Sequence, residues 1–60
     1  MRLYTLEYRV DRPHRTRKES ETFRAVTDAA AVIKAQGMLD EEPTTTNEFL
    51  FHIGTEVPLV

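Results

Sequence analysis

The stretch ETFRAVTDAAAVIKA, residues 21–35, holds a strand end, a helix start and a helix body in immediate succession. Glu19 to Val26 reads as a strand, with Phe23 and Ala25 inward, Thr22 and Arg24 outward, and Val26 breaking the alternation. Thr27 then offers a side-chain oxygen to the first free helical amides, and Asp28 in the first turn suits the positive end of the helix dipole. At about 100° per residue, Ala31, Val32, Ala35, Met38 and Leu39 gather into one core-facing stripe. Ile33 falls on the far side with Ala29, Ala30, Gln36 and Gly37, where charge would be the default. Gly37 costs about 1 kcal/mol relative to Ala inside a helix, so the end is expected between Gly37 and Glu42. Asp40, Glu41 and Glu42 sit unfavourably at the negative end of the dipole.

Upstream, Tyr4, Leu6, Tyr8 and Val10 alternate with Thr5, Glu7 and Arg9, the period of a half-buried strand whose even positions face the core. Pro13 fixes φ and removes a backbone donor, so the chain is expected to turn within Asp11 to Arg15. Downstream, Pro43 stops the helix and Thr44 to Asn47 reads as a loop. Glu48 to Ile53 reads as a third strand in which Phe49, Phe51 and Ile53 alternate with outward Leu50 and His52, the two phenylalanines anchoring the core. Gly54 permits a bend, and Pro58 confines residues 57–60 to an edge or to irregular structure. The expected fold is a single compact α+β domain over residues 1–60. It has two layers in ββαβ order: a three-stranded antiparallel sheet of order 2-1-3, with the helix on one face. The other face is expected to stay bare, carrying Leu3, Thr5, Glu7, Arg9, Arg24, Leu50 and His52.

A chain of 60 residues buries only about 60% of its extended surface, so its stability is marginal. It has no cysteine, and His14 and His52 stand in unlike contexts, so disulfides and a structural metal are not expected supports. Association is the support that remains, and a homodimer is the expected form. The hydrophobic content of 40% predicts a folded chain. No apolar run approaches a membrane span, and Met1-Arg2-Leu3-Tyr4 enters a strand pattern at once, which predicts a complete soluble chain without a signal peptide. The lack of cysteine points to the cytoplasm.

Charge is divided along the chain. Residues 1–27 carry seven Lys/Arg against four Asp/Glu, and residues 28–60 one against six, within a net charge of −2. Five of the basic residues, Arg9, Arg12, Arg15, Arg17 and Lys18, lie with His14 in RVDRPHRTRK, residues 9–18, around the expected hairpin tip. One reading puts these side chains on nucleic-acid phosphates. Another has them orient the chain on an acidic protein surface, or simply keep an edge soluble. No aromatic interleaves the arginines to stack bases, and the acidic helix end would repel a duplex. Ser20 is flanked by Glu19 and Glu21 without a neighbouring histidine, and two glycines make no phosphate-cradling loop. No catalysis, cofactor, metal or small-molecule substrate is therefore expected. Two further surfaces suit a partner: the strip around Ile33, and the third strand with Leu50 and His52. FLFHI, residues 49–53, has none of the charges or prolines that blunt an edge, so something should cover it.

ETFRAVTDAAAVIKA, followed by a Phe-rich strand, resembles small phage-encoded proteins of strand-strand-helix-strand order, the RNA polymerase inhibitors of T-odd bacteriophages among them. The likeness spans residues 21–53. Those inhibitors present arginines on the last strand where this chain has Leu50 and His52, so no binding residue carries over. The resemblance implies a short regulator that occupies a partner's surface. The expected function is thus a non-enzymatic module binding a protein partner or a second copy, with nucleic-acid binding through the basic hairpin as the alternative.

Overall fold

The computed structural model describes residues 1–42 and 45–59. In chain order the elements are β1 (Arg2–Arg12), β2 (Arg15–Ala25), α1 (Asp28–Asp40), β3 (Thr45–His52) and β4 (Thr55–Val57). The α+β class, the antiparallel sheet and the single helix are as expected. The sheet has four strands in the order β2-β1-β3-β4 rather than three, because the C-terminal residues turn back and pair with β3. The helix stop assigned to Pro43, and Thr44 of the expected loop, lie outside the described residues. Thr45, Thr46 and Asn47 belong to β3 and not to a loop.

β1 and β2 form a long hairpin with unbroken register from Arg2↔Ala25 to Arg12↔Arg15, so only Pro13 and His14 make the turn. The even residues of β1 face the helix as expected: Tyr4, Leu6, Tyr8 and Val10 are buried with Ala25, Ala31, Ala35, Leu50 and Val57. The helix presents its expected stripe. Ala31 and Ala35 are buried, and Val32, Met38 and Leu39 pack around them with Phe23 and Leu59. Two alanines at the contact let the helix backbone approach a sheet surface already filled by two tyrosine rings. Thr27 caps the helix, its Oγ1 accepting from the Ala30 amide at 3.2 Å. At the other end Glu41 and Glu42 donate back to Met38 and Leu39, closing the last turn without a basic residue nearby.

β3 overturns the expected facing. Its register on β1 runs Tyr4↔His52, Leu6↔Leu50 and Glu7↔Phe49, then Arg9↔Thr46 and Val10↔Thr45, so one extra residue is accommodated between the two blocks. Asn47, at φ 55, takes up that bulge. Residues opposite one another share a face, so Leu50 and His52 lie on the core side with Leu6 and Tyr4. Phe49 and Phe51 lie on the open side with Glu7 and Thr5. Leu50 is fully buried and Phe49 is 42% exposed. Ile53 does not belong to the strand as expected: it is 87% exposed and, with φ 50, forms a two-residue turn with Gly54 at φ 76. Positive φ at both positions is the primed turn that suits a tight hairpin, and it brings β4 onto Leu50, Phe51 and His52. The chain's own tail thus covers this part of the edge that FLFHI was expected to expose. Beyond β4, Gln36 Nε2 donates to the Leu59 carbonyl at 2.7 Å and ties the tail to the helix.

Candidate functional site

The basic cluster is divided by the alternation of its own strands. Arg12, Arg15 and Arg17 point to the helix side, beyond the end of the helix, around a small hollow of about 220 Å3. Arg17 is held by Glu19, while His14 stands exposed in the turn. Arg9 and Lys18 are directly opposite each other on the open face. Such facing like charges destabilise a sheet by a few tenths of a kcal/mol or more. Among the described residues the ion pairs are Arg2–Asp28 and Arg17–Glu19, and neither involves Arg9 or Lys18.

The open face joins these two cations to the phenylalanines. Phe49 and Phe51 lie with ring centroids 6.3 Å apart and planes inclined by 23°. Leu3, 53% exposed, extends the apolar patch at one end. At the other end a shallow hollow of about 460 Å3 has Glu7, Arg9, Lys18, Ser20, Asn47 and Phe49 in its lining, together with Tyr8 and Glu19. The bulge shapes this hollow, since Asn47 in the left-handed region belongs to the extra residue that kinks β3 beside it. Ser20 faces Glu7 across β1 and β2. Both histidines are elsewhere.

Two expected contact residues are excluded from any surface role of the kind foreseen. Leu50 is in the core, and His52 is half-buried with its ring stacked on Tyr4 at 4.9 Å between centroids. Ile33 is 71% exposed on the outer helix face, as its position in the sequence implied. An unforeseen polar group forms where β1 meets the helix start. The Tyr4 hydroxyl donates to Asp28 Oδ1, and Arg2 Nη1 approaches the same oxygen at 3.3 Å. The Tyr4 hydrogen bond, helped by the Arg2 charge, holds Asp28 below the usual carboxylate range. Burial, and then the bond to Asp28, raise Tyr4. Burial also raises Tyr8, with Glu42 at the helix end adding to it. The group pins the first helical turn to the sheet.

The fold and site define a two-layer α+β domain with an uncovered, aromatic-bearing sheet face. Comparison with known proteins finds no family model, curated protein or solved structure that matches this chain.

Proposed function

We propose that the chain is a non-catalytic binding module whose working surface is the open face of its sheet. The observation that carries this reading is the pair of exposed Phe49 and half-buried Phe51, side by side on the face away from the helix that also bears exposed Leu3. Packing of the core does not require aromatic rings there, and water is an unfavourable neighbour for them. The cations beside the pair supply orientation and rate of encounter. A photo-crosslinking residue placed at Leu3 is expected to form adducts in cells that produce the protein, while the same residue at Ile33 forms none. Whether the adduct is polypeptide or nucleic acid is read separately from its position. Absence of adducts at Leu3 would sink the open-face reading.

A second reading rests on the convergence of Arg12, Arg15 and Arg17 on one side of the hairpin end. It makes that end the contact for an acidic surface. Adducts at His14 with none at Leu3 would select it.

A further inference from the structure

We infer that the open face binds single-stranded nucleic acid, one nucleotide in the hollow beside Phe49 and the neighbouring base on Phe51. This rests on the open face being the working surface and names its ligand. The hollow of about 460 Å3 unites the groups that a nucleotide needs within one site. Phe49 offers a ring face for stacking. Glu7 supplies a carboxylate that accepts from the exocyclic or ring N–H groups of a base, and the Asn47 amide both donates and accepts. Arg9 and Lys18, opposed and without an ion-pair partner among the described residues, are placed to meet two successive phosphates, one each. An anion there would relieve their mutual repulsion. Phe51 continues the platform two residues along the same strand, about one nucleotide's reach away.

The same inventory selects against other ligands. Stacking on Phe49 and Phe51 requires unpaired bases, which a duplex does not present. An acidic peptide would bring its carboxylates against Glu7, whereas a base edge brings N–H donors. Asp11, Arg24 and Glu56 join Glu7, Arg9 and Lys18 on this face, three charges of each sign, so the open surface as a whole is not basic. Stacking rather than charge therefore carries the affinity. With about two phosphates neutralised, the slope of log K against log salt is about −1.4, or roughly sevenfold between 50 and 200 mM.

The test uses fluorescence anisotropy with a labelled mixed-sequence strand of about ten nucleotides, as RNA, as DNA and as the DNA duplex. Single strands are expected to bind with the shallow salt slope and the duplex at least tenfold more weakly. The RNA and DNA arms show whether the sugar hydroxyl contributes. Phe49→Ala and Phe51→Ala each weaken binding on the order of tenfold. Phe49→Tyr retains binding and Phe49→Leu does not, a contrast that bulk alone would not produce. Arg9→Ala and Lys18→Ala each reduce the salt slope by about 0.7. Circular dichroism is expected to show every variant folded, since these side chains stand outside the core. Absence of binding at 50 mM salt would overturn the ligand while leaving the open face testable by its Leu3 adducts. Binding indifferent to Phe49 but lost in Arg12→Ala/Arg15→Ala would overturn both and move the site to the hairpin end. A dimer that Phe49→Ala dissolves, without oligonucleotide binding, would put a second copy on this face.

Discussion

Asp28 serves two elements with one carboxylate. It stands in the first turn of α1, where negative charge is favoured, and it accepts from Tyr4 and Arg2 of β1. Its folded-state pKa is lowered, so its contribution to stability is present above the unfolded value of about 3.9 and is lost as the pH falls through the folded value. Tyr4 is raised, so its contribution is held below about pH 10 and lost as the pH rises through its folded value. Urea midpoints are thus expected to be flat near neutrality and to fall at both extremes. Asp28→Asn is less stable at pH 7 and loses less on acidification. An acid limb as steep in Asp28→Asn as in the parent would mean that other carboxylates dominate. The sequence showed Asp28 as a helix-start residue; its bond to Tyr4, 24 positions away, needs the sheet and helix to be docked.

The β3–β4 hairpin shows how an element can contradict its own hydrophobicity pattern. In FLFHI, Phe, Phe and Ile form the more apolar alternate set, yet Leu50 and His52 face the core. The reason lies in pairing. Leu50 is opposite Leu6, whose facing is settled by the uninterrupted run Tyr4, Leu6, Tyr8, Val10, and the bulge at Asn47 sets the phase that follows. Ile53 cannot continue the strand because the turn demands positive φ, a conformation costing a β-branched residue about 1–2 kcal/mol. Ile53→Asn, which supplies the Asn-Gly pair that such turns favour, is expected to stabilise the protein by about 1 kcal/mol. Thermal unfolding checks this, and a lowered midpoint would show that Ile53 contributes contacts its exposure does not reveal.

For the whole molecule, the consequence of that phase is a division of labour between two faces of one sheet. The helix side is the core, closed by small alanines over large tyrosines. The open side keeps two aromatics that the core does not use. Leu50→Ala is expected to cost about 2–5 kcal/mol, enough to leave a chain of this size largely unfolded, whereas Phe49→Ala costs about 1 kcal/mol or less. Chemical denaturation of the two variants distinguishes this facing from the opposite one. Local pattern sufficed for the strand of even-numbered core residues, the Thr27 cap, the helix stripe and the α+β class, because each rests on neighbours within one or two turns of chain. It also located the basic residues, but not their separation into Arg12, Arg15 and Arg17 on one side and Arg9 and Lys18 on the other, which follows from strand limits closer to the turn than composition implied. The fourth strand, the buried place of Leu50, and the meeting of Phe49 with Arg9 and Lys18 came only with the assembled sheet. A one-residue bulge and a two-residue turn decide them, and such small features set the facing of every residue beyond them because side chains alternate with a period of two.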